Sequence, residues 1–376
     1  MLVNSIVKVQ TASGQHSSPN AAGNPVRNDT DESRYNQHYG SSLDAAGESE
    51  SWVTRFDQPK DCQVSYLLIT DDDIAKHLSM PQAVTCMEET LRLHAEGTLI
   101  APARSDSDLA GAGKLVFTVG GSTGENSLVG FRAYDATHFK SPARDELVAV
   151  FCGNTGAIKA LVAGTQLGPI RTGAIGGVAV KYLSRSDSKV LGLIGTGPQG
   201  KTQLQAATAV RQFDQIKVFS RDAERCREFA EQMSKELGQP VQAAATAREA
   251  VEEADVLITA TISPTPIIQA DWLKPDVHIN NVGPKFKNNQ ELDLSVAERA
   301  ALLVTDTLAQ VEKCGDEFIT VATPLHNRLQ ELAPFVTGSA ARERTSEEIT
   351  LFYSLGLAGT EVTLAALVAD QMTTQA

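Results

Sequence analysis

The hexapeptide Gly195-Thr196-Gly197-Pro198-Gln199-Gly200 constrains this chain more than any other feature. It follows the apolar run Val190-Leu191-Gly192-Leu193-Ile194, which reads as a buried strand, and it opens a helical stretch that runs through Val210. The first glycine allows a tight turn, the second lets a ligand approach the backbone, and the third lets helix and strand pack closely. A helix that begins this way offers unpaired N–H groups and the positive end of its dipole, which suit a pyrophosphate. Glycine spacing alone is a weak signal, because glycines cluster in many turns. The strand before it and the helix after it make this loop a dinucleotide site.

The alternation continues downstream. Ile216-Lys217-Val218-Phe219 reads as a second strand. Asp222 caps a helix with Cys226, Phe229, Ala230, Met233 and Leu237 on one face, closed by Gly238 and Pro240. Thr246 and Glu249 have capping-box spacing. Residues 256–261, 277–282 and 301–305 read as further buried strands. Strand and helix in alternation predict an α/β fold with a doubly wound parallel sheet, a Rossmann domain over residues 186–324. Upstream, residues 114–120 and 128–134 read as strands, and 147–152 and 158–163 as a hairpin around Asn154-Thr155-Gly156. A helix is expected over residues 172–184 and another over 346–372. The second returns the chain to the first lobe. That lobe is therefore a discontinuous α+β domain, residues 61–185 and 325–376. Residues 1–60 are rich in Ser, Asn, Gly, Asp and Glu, and are expected to form a disordered polar tail without chemistry.

The net charge of −13, with no basic block to offset it, disfavours nucleic acid and anionic membrane as partners. No apolar run is long enough to cross a bilayer, and Met1–Lys8 lacks the basic flank of a secretory signal. Cys62, Cys86, Cys152, Cys226 and Cys314 have neither metal-ligand nor redox spacing. We therefore expect a cytoplasmic protein with free thiols and no metal.

Cofactor choice follows from the end of the second strand. An acid there would bind the ribose 2′-hydroxyl of NAD(H). The sequence has Phe219-Ser220-Arg221-Asp222 instead. A hydroxyl from Ser220 and a guanidinium from Arg221 suit a 2′-phosphate, so NADP(H) is favoured over NAD(H). Two other readings stay open: Arg221 as a solvated loop residue, and Asp222 serving the ribose instead of capping the helix.

Several segments together resemble the ornithine cyclodeaminase/mu-crystallin family. They are Leu167-Gly168-Pro169-Ile170-Arg171-Thr172-Gly173-Ala174, Ile258-Thr259-Ala260-Thr261, His278-Ile279-Asn280-Asn281-Val282-Gly283 and Ser354-Leu355-Gly356-Leu357-Ala358. They occur in the family's order, and the likeness runs from about Tyr66 to the end. The resemblance implies a homodimer joined through the sheet of the discontinuous lobe, which makes it the substrate and dimerisation domain. It implies an active site between the lobes, with a small amino or imino acid as ligand. It assigns Arg104 and Arg171 to the substrate carboxylate, Thr172 to a cofactor phosphate or a helix cap, and Thr259, Ala260, Thr261, Val282 and Gly283 to the cofactor wall.

Two departures matter. Arg132 stands where cyclodeaminases usually carry Lys, and Lys285 where they carry a catalytic Asp. The strand around Leu115-Val116-Phe117 also lacks the cyclodeaminase Glu. Arg104, Arg132, Arg171 and Lys285 together predict a cationic pocket suited to an anionic or neutral side chain. In it Arg132 is a substrate ligand and a catalytic residue, and Lys285 is a catalytic proton donor or second anchor; the other reading of Lys285, a solvated lysine in the loop Lys285-Phe286-Lys287-Asn288-Asn289, stays open. Three functions follow: an NAD(P)-dependent oxidoreductase interconverting imino and amino acids, a cyclodeaminase with no net redox change, or a crystallin-type NADP-binding protein without turnover.

Overall fold

The computed structural model describes residues 66–138, 141, 143–340, 344 and 347–374. The polar segment 1–60 and Cys62 lie outside them. The first described elements are the strand Leu67–Ile69 and the helix Asp71–His77, whose cap Thr70 accepts from the Asp73 amide while Asp73 returns the bond.

The first sheet runs in the order Leu67–Ile69, Ile158–Gly164, Glu146–Cys152, Leu128–Asp135, Lys114–Ser122, Leu99–Ile100, with Ser105–Asp108 also on Lys114–Ser122. Its long strands are antiparallel neighbours. One face packs Val148, Val150, Ala160 and Val162 against helices. The other face carries Val119, Val129 and Leu147, which are 50%, 52% and 41% exposed in the single chain.

The second sheet has eight strands among the described residues, all parallel. Its order is Gln242–Ala243, Gln215–Phe219, Val190–Ile194, Val256–Thr259, His278–Asn281, Thr350–Tyr353, Leu302–Thr305, Leu329–Glu331. From Val190–Ile194 the chain winds first to one side and then to the other. The glycine loop therefore leaves the sheet at the topological switch point, where ligands bind in open α/β sheets.

Three expectations need correction. The helix expected from Thr172 begins at Leu167, so the arginine motif is itself helical. Pro169 sits in its first turn, where an amide would have no partner anyway. The sheet does not stop at Pro324, because Leu329–Glu331 and Thr350–Tyr353 belong to it. Residues 346–372 are not one helix. Thr350–Tyr353 is a fully buried strand inserted between two earlier ones, and only Thr360–Thr374 is helical. The strand and the helix as far as Ala369 are buried almost all round, so periodicity carried no boundary signal. The left-handed Gly356 (φ 94°) and Gly359 (φ 81°) mark the break.

The helix Thr360–Thr374 returns to the first sheet. It buries Val362, Leu364 and Val368 there, about 1.5–3 kcal/mol each. Gly130 makes room for it: a Cβ at that position would lie 2.8 Å from Val362.

Candidate active site

The cofactor end is made mostly of backbone. Gly195 has φ 109°, and its amide donates to Phe219 O at 2.9 Å. A Cβ on Gly200 would lie 2.1 Å from Gly195 O, so only glycine lets the helix Pro198–Val210 start this close to the strand. A Cβ on Gly197 would meet nothing within 4 Å. No side chain caps that helix, Pro198 has no amide to satisfy, and the Gln199 Oε1 is buried without a partner. Open space over Gly197 and uncapped helical amides form a cradle that fits a pyrophosphate. Thr196 is buried within the loop.

At the next strand end, Asp222 caps the helix Ala223–Leu237 by accepting from Glu224 N and Arg225 N, both at 3.1 Å. Ser220 is half-buried and Arg221 exposed. Of the two open readings for Asp222, capping is the one observed.

Thr259, Ala260, Thr261, Val282 and Gly283 stand at the carboxyl ends of the adjoining strands. Thr259 turns its hydroxyl inward to accept from Asn281 Nδ2 at 3.0 Å. The buried Glu291 takes the Thr261 amide on one oxygen and Asn281 Nδ2 (3.0 Å) on the other. Gly283 is required here, since a Cβ would fall 2.1 Å from the Glu291 carboxyl. Burial pushes the Glu291 carboxyl above the usual range.

Thr172 neither caps a helix nor points freely. Its hydroxyl donates to Gly168 O at 2.9 Å, and its carbonyl accepts from Gln203 Nε2 at 3.0 Å. Gln203 is fully buried and also meets Asn280. It pins the helix Leu167–Leu183 to the glycine-loop helix. Arg171 is thereby held at a fixed offset from the pyrophosphate cradle.

The candidate substrate end is made of charged side chains. Arg104, Arg132 and Arg171 line one small cleft together with Thr118, Leu355 and Gly356. Arg171 donates through Nε to Glu361 Oε1 at 2.8 Å. Arg104 donates through Nη2 to Leu355 O at 2.6 Å. Arg132 is buried and fully engaged: Nε and Nη2 reach Glu146 Oε2 at 2.8 and 2.5 Å, and Nη1 reaches Glu361 Oε1 at 2.9 Å. Its guanidinium also sits 4.4 Å from the Tyr134 ring centroid. Of the expected cationic pocket, Arg132 is taken up by two buried acids, whereas Arg104 and Arg171 keep terminal nitrogens open. Arg171 and Arg132 hold the Glu361 carboxyl down at about 2 although burial opposes ionisation.

Lys285 is buried, and its ammonium donates to Val282 O (3.1 Å), Gly283 O (2.7 Å) and Ser354 O (2.8 Å). Its three hydrogens are all used, so this placement gives no support to the expected proton donor. Burial pulls its pKa down to about 8, against the opposing carboxylates of Glu291 and Asp306. Asp306 accepts from the amides of Leu355 and Gly356 on one oxygen; the other is buried without a partner. Lys285, Asp306 and Arg104 thus clamp the loop that crosses from Thr350–Tyr353 to Thr360–Thr374.

Glu146, Glu361, Glu291 and Asp306 escaped the sequence reading. Glu361 left a trace: it is a single acid in the apolar stretch Val362-Thr363-Leu364-Ala365 that follows it, and an acid so placed needs a buried partner. Among the described residues no cluster of His, Cys, Asp and Glu could hold a metal, and no helix is long and apolar enough to cross a membrane.

The chain is 37% identical over 215 residues to a Δ1-pyrroline-2-carboxylate reductase of Bacillus cereus, covering 56% of this chain and 66% of that protein, just under two thirds of its length. The solved structure of the Thermococcus litoralis Δ1-pyrroline-2-carboxylate reductase, in complex with NADH and L-proline, matches with a TM-score of 0.74 at 31% identity, over 82% of this chain and 98% of that one. An archaeal alanine dehydrogenase dimer with bound NAD matches with a TM-score of 0.72 at 26% identity, over 82% and 97%. The model of the ornithine cyclodeaminase/mu-crystallin family matches residues 65–376, and the chain belongs to that family.

Proposed function

We propose that this protein is an NAD(P)-dependent imino acid reductase, interconverting an imino acid and the corresponding amino acid. The observation that carries the reading is the pairing of two partly free guanidinium groups, Arg104 and Arg171, in a cleft walled by Thr307 and Leu355, just past the carboxyl ends of two strands of the sheet that carries the glycine loop. An arginine fork matches a carboxylate, and two of them fix its orientation. A bound nicotinamide supplies the hydride. The chain's own residues hold the carboxylate so that the imine carbon faces the donor, and orientation of this kind is the main advantage a protein gives such a transfer. The relatives named as pyrroline-2-carboxylate reductases and alanine dehydrogenase favour this reading over a binding protein without turnover.

Compensation of Arg132 by Glu146 and Glu361 favours a substrate with one carboxylate and a compact, uncharged side chain. Cyclodeamination is disfavoured, because Lys285 stands where that reaction would use an acid. Commitment of Asp222 to its helix cap and the exposure of Arg221 beside the half-buried Ser220 favour NADP(H), whereas the solved relatives named above hold NADH or NAD. The apolar outer face at Val119, Val129 and Leu147 supports a homodimer through the first sheet.

The test is a panel of cyclic imino acids, and of keto acids with ammonia, followed at 340 nm with NADPH and NADH. Oxidation of NADPH by Δ1-pyrroline-2-carboxylate is expected, with no proline formed from ornithine. Proline from ornithine, or tight cofactor binding without turnover of any panel member, would overturn the reading.

A further inference from the structure

Four buried or nearly buried groups alternate in charge across the first lobe. Glu146, on the strand Glu146–Cys152, holds Arg132 on the neighbouring strand through two nitrogens. Arg132 passes its third nitrogen to Glu361 Oε1 at 2.9 Å. The same oxygen takes Arg171 Nε at 2.8 Å. Glu146 also takes Arg144 Nη2 on its other oxygen at 3.0 Å. Side-chain exposures from Glu146 through Arg132 and Glu361 to Arg171 are 5%, 8%, 2% and 11%, so Arg171 is the most open of the four. There the attachment is one-sided. Nε is bonded, while the two terminal nitrogens have no hydrogen-bond partner among the described residues and stand beside Gly356. A Cβ on Gly356 would come within 3.1 Å of Arg171 Nη1, so the loop is kept bare where the fork faces the cleft.

We propose that Glu361 is a positioning residue for substrate binding: it fixes Arg171 by its Nε edge so that the terminal fork faces the incoming carboxylate. Arg132, on the same account, is a link in the row and not a ligand, and Glu146 tensions the row from its far end. A guanidinium held at one edge loses little further freedom when its fork engages a carboxylate, whereas an untethered arginine must be ordered by the substrate itself. Glu361 touches neither substrate nor cofactor. It acts through Arg171, and the geometry comes from Gly359 and the first turn of the helix that carries it.

The proposal rests on the reductase reading and is tested beside it, with the full chain. Glu361→Gln keeps the shape of the side chain and removes its charge. The expected result is a KM for Δ1-pyrroline-2-carboxylate raised at least tenfold, with the Kd for NADPH within twofold of wild type. A role in stability alone would lower the active fraction, and hence kcat, at unchanged KM. Glu146→Gln, two links away, keeps the helix Thr360–Thr374 untouched and should raise KM about two- to threefold. It carries the test if Glu361→Gln does not fold. Unchanged KM in whichever variant folds, or equal loss of affinity for NADPH, would overturn the positioning role while leaving the reductase reading intact. If the wild type neither turns over the imino acid nor binds pyrrole-2-carboxylate by calorimetry, the reductase reading fails first, and the positioning role with it.

Discussion

The glycine loop and the arginine cleft offer recognition by opposite means. At the glycine loop the contacts on offer are backbone amides, exposed because Gly195, Gly197 and Gly200 remove side chains. At the arginine end they are side chains drawn from both lobes, each braced by a buried acid or a carbonyl. The first solution is local, six consecutive residues between one strand and one helix. The second is distributed, because Arg104, Arg132, Arg171, Lys285 and Glu361 meet only once both sheets have formed. A local solution should tolerate distant change and fail at a single added methyl. A distributed one should degrade in steps.

That contrast can be broken most directly at Arg171. Arg171→Ala removes the fork and leaves Glu361 with one partner fewer. We expect kcat/KM for the imino acid to fall about thousandfold, roughly 4 kcal/mol, with NADPH affinity nearly unchanged. Parallel loss of cofactor binding would mean that the two ends are not separable. Gly200→Ala should do the reverse. The new Cβ cannot coexist with Gly195 O, so the helix must move. NADPH affinity should drop about a hundredfold, roughly 2.7 kcal/mol, while calorimetric binding of pyrrole-2-carboxylate persists.

Smaller effects sharpen the picture. Arg221→Ala should weaken NADPH by on the order of 10- to 100-fold and NADH by little, the loss of one charge-assisted pair. Equal weakening of both cofactors would assign Arg221 to the solvated loop. Lys285 gives a pH signature. Its ammonium is depressed to about 8, so it loses a proton as pH rises through that value, leaving two hydrogens for three carbonyls. The crossing loop then slackens. The wild-type kcat/KM should fall about tenfold between about pH 7.5 and 9.5. Lys285→Met should start about tenfold lower and show no such limb, and Lys287→Ala, on the exposed turn between the paired segments Lys285–Phe286 and Asn289–Gln290, should match wild type. An alkaline limb that survives in Lys285→Met would assign the titration elsewhere.

The same contrast decides what could be read from the chain alone. The glycine loop, its strand and the cap at Asp222 are fixed by neighbours in sequence, and Val190–Ile194 and Pro198–Val210 lie where the apolar pattern put them. Arg104 and Arg171 were legible through family likeness, and they do share a cleft. Their compensation was not, because Glu146 and Glu361 lie far from Arg132 in the sequence and only strand pairing and a returning helix bring them close. Lys285 was read as a charge facing substrate. Its carbonyl partners come from Val282, Gly283 and Ser354, and carbonyls are present at every residue and so leave no mark in a sequence. Thr350–Tyr353 was lost inside a longer apolar run for want of a period.

That strand has a consequence for biosynthesis. It lies between His278–Asn281 and Leu302–Thr305 in space, yet it follows Leu329–Glu331 in the chain. While the ribosome is between Thr305 and Tyr353, His278–Asn281 and Leu302–Thr305 exist without the strand that joins them. At about 5–20 residues per second this interval lasts roughly 2–10 s. Through it two strands that are buried in the folded protein present unpaired backbone edges across an open slot, a template for pairing with another chain. We expect nascent chains stalled near residue 340 to be held by chaperones or to pellet, and chains stalled well beyond residue 353 to do neither. Equal behaviour of the two would mean that the slot is closed by something other than this strand until its turn comes.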